Sequence, residues 1–190
     1  VATWDVSAAE KGGYAHFMLK EICEQPDALK KTINPRIKNG LPDFSECGLT
    51  DEKLRSYHHI YIVGCGSAMH AGMVGKYVIE KLAPVVVDIA SEFRYRDPLL
   101  APDDLVVIIS QSGETADTLA ALKLANSIGA DTLAIVNVVG SSIAREAKMV
   151  MYTLAGPEIS VCSTKAYMVQ AAFMYLLAFR VAYARNAIDE

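Results

Sequence analysis

Five short apolar runs, four of them followed by a polar loop and a helical pattern, constrain this chain more than any other feature. They are His59-Ile60-Tyr61-Ile62-Val63, Val85-Val86-Val87-Asp88-Ile89, Leu105-Val106-Val107-Ile108-Ile109, Leu133-Ala134-Ile135-Val136-Asn137 and Met149-Val150-Met151-Tyr152-Thr153. None alternates apolar with polar. Near-continuous runs are expected where both faces of a parallel sheet are covered by crossover helices. Helical patterns run to about Leu82, from about Glu114 to Ile128, around Ser142 to Ala147, and from roughly Thr164 to Ala187. This alternation predicts an α/β fold, a three-layer α/β/α sandwich around a central parallel sheet of about five strands.

The stretch before the first run has another character. Residues 1–13 are polar and end in Lys11-Gly12-Gly13, which reads as a linker. A helix is predicted from about Tyr14 to Gln25, with Phe17, Leu19 and Ile22 as its apolar contacts. Pro26 opens a second helical segment to about Ile33. Pro35, Gly40 and Pro42 mark an irregular connection to about Thr50. The expected division is a linker and N-terminal helical arm over 1–50 and a sandwich domain over 51–190.

A chain of 190 residues with 52% hydrophobic residues can bury a full core in one domain. Eighteen basic against 22 acidic residues give a net charge of −4, which offers no broad face for nucleic acid. The longest uncharged run, Ala166–Phe179, falls short of the about 20 apolar residues of a membrane span. The start, Val1-Ala2-Thr3-Trp4-Asp5, lacks both the pattern of a signal peptide and an initiator Met, so a piece of a longer product is expected. Cys23, Cys47, Cys65 and Cys162 form no C-x-x-C pair. Reduced thiols, a cytoplasmic location and no metal site are the expectation.

In an open parallel sheet, ligands bind at the carboxyl ends of the strands where strand order reverses. A flavodoxin-like order would place the loops after the first and third runs together there. The loop after the third run, Ser110-Gln111-Ser112-Gly113-Glu114-Thr115, offers three hydroxyls and a carboxamide. A helix follows at once, so its unpaired N–H groups and positive dipole end face the same place. That combination suits a phosphate monoester or a polyol. One hydroxyl here, Ser112 or Thr115, is expected to cap the helix; capping needs one oxygen, and the loop supplies several.

The loop after the first run, Gly64-Cys65-Gly66-Ser67-Ala68-Met69, lacks the third small residue of a dinucleotide fingerprint. Ser67 is the candidate for an opposite wall of the same site, against the alternative of a plain capped turn. After the fifth run, Gly156–Lys165 opens the last helix, with Ser163 or Thr164 either capping it or facing a ligand. His58 and His59 begin the first strand and point to a surface position. Glu92, Arg94 and Arg96 alternate along what reads as an extended stretch, a salt-linked surface. No convincing general base stands near either loop.

The run Ile109–Thr118 resembles the signature loop of the sugar isomerase (SIS) domain. Further segments are similar to the isomerase part of the glutamine–fructose-6-phosphate aminotransferase (glucosamine-6-phosphate synthase) family. These are Ala9–Tyr14, His16–Ile22, Glu24–Pro26, Ser91–Arg96 and Ser163–Ala166. The resemblance implies a first SIS lobe that binds a hexose phosphate, fructose-6-phosphate or glucosamine-6-phosphate. It implies that Ser110, Gln111, Ser112 and Thr115 hold the phosphate, that Ser67 assists, and that Val161 and Ser163 contact the sugar. Ring-opening and proton-transferring residues would belong to a second SIS lobe, its tail and a neighbouring subunit, so no catalytic residue and no cofactor fall on this chain. A glutaminase domain and a homodimer complete the implied assembly. The family's first loop usually reads Cys-Gly-Thr, often with Ser and then an aromatic residue; here Ala68 and Met69 depart from it. A phosphosugar-sensing module of a regulator, a related deglycase or isomerase, and a generic nucleotide-binding domain stand as alternatives.

Overall fold

The computed structural model describes residues 9–188; residues 1–8 of the expected linker lie outside that range. The arm holds α1 (Phe17–Cys23) and α2 (Gln25–Ile33), then a minimal hairpin of β1 (Ile37–Lys38) and β2 (Leu41–Pro42). The sandwich follows as α3 (Asp51–Ser56), β3 (Ile60–Gly64), α4 (Ser67–Ile79), β4 (Val85–Ile89) and α5 (Ala90–Phe93). It continues with β5 (Leu105–Ser110), α6 (Ala116–Ile128), β6 (Asp131–Val136), α7 (Ser142–Glu146), β7 (Met149–Tyr152) and α8 (Lys165–Ala184).

All five predicted strands form, and they pair in parallel in the order β4-β3-β5-β6-β7. Counted along the chain, that is the flavodoxin-like order 2-1-3-4-5, which places the reversal between β3 and β5. Gly64 and Ile109 stand side by side in that register.

Successive side chains of a strand point to opposite faces, and the core divides accordingly. Ile60, Ile62, Leu105, Val107, Ile109 and Leu133 pack on one face with Phe173, Met174 and Leu177 of α8 and Ile79 of α4. Val63, Val106, Ile108, Ala134 and Val136 pack on the other with Phe93 of α5, Leu122 of α6 and Ile143 of α7. Each such fully buried aliphatic side chain contributes about 1.5–3 kcal/mol by area. By length and composition α8 is apolar enough to cross a membrane; here Phe173, Met174 and Leu177 are buried in the sheet's core instead. A Cβ on Gly75 would lie 2.7 Å from the Met174 sulfur, so the glycine lets α4 seat directly on α8.

The structure corrects two expectations and adds one element. Between Thr50 and the first strand, a stretch with no element predicted, lies α3, whose Thr50 side chain accepts the Lys53 N–H at 3.3 Å. Thr-Asp-Glu was its readable start signal. The stretch from Glu92 to Arg96 is not extended: α5 ends at Phe93, and Tyr95 and Arg96 N–H both return to the Glu92 carbonyl. Its arginines are salt-linked, Arg94 to Asp117 at 3.2 Å and Arg96 to Asp88 at 3.1 Å. In α1, Leu19 and Ile22 are exposed (47% and 41%), while Lys20 and Glu21 are buried (8% and 2%). The helix turns its charges inward, for a reason that appears below.

Candidate functional site

β5 ends on Ser110, a buried residue, and the chain turns through Gln111–Thr115 into α6. The Ser110 hydroxyl accepts the Gly113 N–H at 3.0 Å and lies 3.3 Å from the Thr115 hydroxyl. Ser112 accepts the Glu114 N–H at 3.2 Å. Two backbone bonds tie the loop to its neighbours. Asn137 N–H donates to the Gln111 carbonyl at 3.1 Å, and Ile143 N–H to the Gly113 carbonyl at 3.0 Å.

Gly113 is the hinge of this arrangement. Its φ of +67° is left-handed, and a Cβ there would lie 2.0 Å from the Ser141 hydroxyl oxygen. Only glycine satisfies both the conformation and the space.

Thr115 is the N-cap residue of α6, yet its side chain makes no capping bond. The hydroxyl faces Ser110 instead. Capping therefore does not use it up, and the side chains of this loop leave the α6 amino end uncovered. The α4 end is similar: Gly66 is its N-cap with no side-chain bond, and Ser67 is exposed beside it. Two helix amino ends of 13-residue helices thus sit over adjacent strands β3 and β5, at the reversal of strand order. Partial positive charge and free N–H groups at such ends suit an anion with several oxygens.

Glu114 points away from this focus. Its carboxylate accepts the Ser142 N–H at 2.8 Å, so it covers the start of α7. Bonds from the Ser142 hydroxyl and N–H, with the nearby Arg145 charge, hold it below the usual carboxylate range. A carboxylate so held is a poor proton acceptor at neutral pH. Cys65 is half-buried and accepts the Thr118 hydroxyl at 3.7 Å, a packing role. Among the described residues, no group of three or more His, Cys, Asp or Glu could hold a metal ion.

The third predicted wall, 157–164, is organised quite differently. Neither Ser163 nor Thr164 caps α8 through its side chain. Glu158 does so: it accepts Thr164 N–H at 2.9 Å and Ala166 N–H at 3.1 Å, and its second oxygen takes the Ser163 hydroxyl at 2.9 Å. Val161 is fully exposed. Glu21 reaches across from α1 and accepts Ile159 N–H at 2.6 Å and Ser160 N–H at 3.2 Å. Lys165, also buried, pairs with Glu24 at 2.6 Å. The inward turn of Glu21 is explained by its contact with this segment, and Lys20 beside it donates to the Glu10 carbonyl and pairs with Glu24 at 3.6 Å.

Asn137 links the two regions. Its backbone N–H holds the Gln111 carbonyl. Its buried side chain donates to the Gly156 carbonyl at 2.7 Å and accepts from Thr153 and Ala155 at 3.1 and 2.9 Å. Sequence reasoning assigned no role to Asn137, Glu21 or Glu158. An Asn ending an apolar run was the one available hint.

The fold and this hydroxyl-lined strand-to-helix loop define a class. The SIS domain pattern matches residues 53–180, and the chain belongs to that family. Within it, the chain is 57% identical over 188 residues to the glutamine–fructose-6-phosphate aminotransferase [isomerizing] of Clostridium acetobutylicum, covering 97% of this chain and 31% of that relative. The enzyme of the same name from Clostridium tetani is 55% identical, with 99% and 31% covered. Among solved structures, the C-terminal domain of glucosamine-fructose-6-phosphate aminotransferase from Francisella tularensis superposes with a TM-score of 0.89. It is 41% identical, over 95% of this chain and 52% of that one. The chain thus spans about a third of the length of the curated relatives it matches.

Proposed function

We propose that this chain is the phosphosugar-binding first SIS lobe of a glutamine–fructose-6-phosphate aminotransferase. The parent enzyme converts fructose-6-phosphate and glutamine to glucosamine-6-phosphate and glutamate in the cytoplasm. The observation that carries the reading is the Ser110–Thr115 hydroxyl pair, uncommitted to capping, at an open helix amino end. In it Ser110, Gln111, Ser112 and Thr115 hold the phosphate, with Ser67 on the facing loop. Val161 and Ser163 meet the sugar. The identity of the relatives supports the choice of enzyme over a regulator or a nucleotide-binding domain.

The division of labour follows from the side chains present. Hydroxyls, amides and helix N–H groups bind and orient an ester without moving protons. The chemistry then falls to a second SIS lobe and a partner subunit of a homodimer, with ammonia supplied by a glutaminase domain. Residues 1–50 serve as the linker and arm, and 51–190 as the binding domain.

Titration followed by NMR tests this reading. Fructose-6-phosphate or glucosamine-6-phosphate should shift the amides of 110–118, and ATP and NAD should not. Ser110→Ala with Thr115→Ala should weaken the sugar phosphate at least about tenfold, as expected for lost charge-assisted bonds. Unchanged affinity, or preference for a nucleotide, overturns it. Ammonia-dependent synthesis by this chain alone would overturn the division of labour.

A further inference from the structure

The arm buries a carboxylate where an amphipathic helix would bury its apolar side chains. α1 exposes Met18, Leu19 and Ile22 and buries Glu21 to 2%. Burying a carboxylate costs several kcal/mol unless its oxygens are bonded. Glu21 is bonded to one thing only among its described hydrogen bonds: the backbone N–H groups of Ile159 and Ser160, 138 and 139 residues away. At the other end of the same segment, Glu158 fixes the Ser163 hydroxyl and the Thr164 and Ala166 N–H groups. Between these two grips lies Val161, with its side chain fully exposed. The segment has no strand or helix pairing of its own from Thr153 to Thr164. Asn137 holds its start, Thr153 to Gly156, and the two carboxylates grip it beyond Pro157.

We propose that Glu21 and Glu158 are positioning residues that set the sugar-facing wall, and that Glu21 makes preference for a hexose phosphate over bare phosphate depend on the arm. The inference rests on the binding reading above and goes beyond it. The phosphate loop and the sugar wall hang on different supports. Ser110–Thr115 is fixed by its own hydroxyls and by β6 and α7. The wall is fixed by α1. Loosening Glu21 should leave the first intact and blur the second. The ordering cost of the wall would then be met from ligand binding, which lowers affinity for the sugar only.

The test is a ratio of affinities in this chain, read by NMR titration with fructose-6-phosphate and with inorganic phosphate. Glu21→Ala should weaken the sugar phosphate about tenfold and leave inorganic phosphate within about twofold. Glu21→Gln, which keeps one acceptor oxygen, should fall between. Amide hydrogen exchange should rise at Ile159 and Ser160 in both variants and stay unchanged at 110–118. Equal loss of both ligands would make Glu21 merely structural and overturn the proposal. So would an unchanged ratio, or exchange at 159–160 that does not move. A wild-type chain that binds neither hexose phosphate, or binds one without dependence on Ser110 and Thr115, overturns the binding reading instead. The two failures are therefore distinguishable.

Discussion

The Ser110–Thr115 loop and the 157–164 segment lie at the same end of the sheet, yet they are built on opposite principles. The first closes on itself: the Ser110 hydroxyl holds the Gly113 N–H three residues on, and Ser112 holds the Glu114 N–H two residues on. The second is held from far away in the chain by Glu21 on the arm, and by Glu158 at its own start. A self-closed loop is rigid before ligand arrives, which suits a group common to many ligands. A segment gripped from another element can be retuned from a distance, which suits the part that discriminates.

The most severe way to break this contrast is at the hinge of the first loop. Gly113→Ala forces a Cβ to within 2.0 Å of the Ser141 oxygen and 2.5 Å of its Cβ, at a φ that L-residues avoid. We expect a loss of about 3 kcal/mol in denaturant unfolding and loss of sugar-phosphate binding. Adding Ser141→Gly should recover part of the stability, since it removes the clash but not the strained φ. Full recovery would mean that the backbone conformation matters little.

Next comes the residue the two regions share. Asn137→Ala removes three side-chain bonds and leaves the Gly156 carbonyl and Ala155 N–H without that partner. A cost of about 2–3 kcal/mol is expected, because unmade buried bonds carry the full desolvation penalty. Exchange should rise at 153–156 and hardly at all at 111–115, since the Gln111 contact is made by the Asn137 backbone. Equal rises would show the regions to be one unit.

A subtler substitution separates folding from binding inside the first loop. Thr115→Val removes a hydroxyl that caps nothing. Stability should stay within about 0.5 kcal/mol. Phosphate-ester affinity, followed by NMR, should still fall several-fold.

What could be read from the sequence divides along the same line. The five strands were legible because parallel pairing buries both faces and leaves unbroken apolar runs such as Leu105–Ile109. The Ser110–Thr115 loop was legible because its whole chemistry lies within six residues. The α1 helix was legible as a helix but not in its orientation. Its apolar residues Leu19 and Ile22 suggested the buried face, whereas Glu21 occupies it. No local pattern announces a carboxylate whose partners lie 138 residues downstream. Asp131 shows the same limit. Burial pushes its carboxyl up, and the distant Tyr57 hydroxyl and Lys53 ammonium, with Lys148, bring it down below its ordinary value.

The smallest effect tests whether the first loop is as self-contained as it looks. Glu114 is exposed and links the loop to α7 through Ser142. Bonds from the Ser142 hydroxyl and N–H hold its carboxyl below the ordinary 4.5. A depressed folded value means that the contact contributes fully above 4.5 and is lost as pH falls through the folded value. Exchange at Ser142, corrected for the intrinsic pH dependence, should therefore rise at the acid end. In Glu114→Gln, which keeps an acceptor but cannot ionise, that rise should vanish. Between about pH 5 and 3 a phosphate ester holds a constant charge, since its second proton titrates near about 6. Over that range sugar-phosphate affinity should follow the same pH profile in the parent chain and in Glu114→Gln, because Ser110, Thr115 and the α6 amino end do not titrate there. If affinity instead tracks Glu114, then α7 is part of the phosphate site's support, and the contrast between a self-closed loop and a remotely held wall weakens at that point.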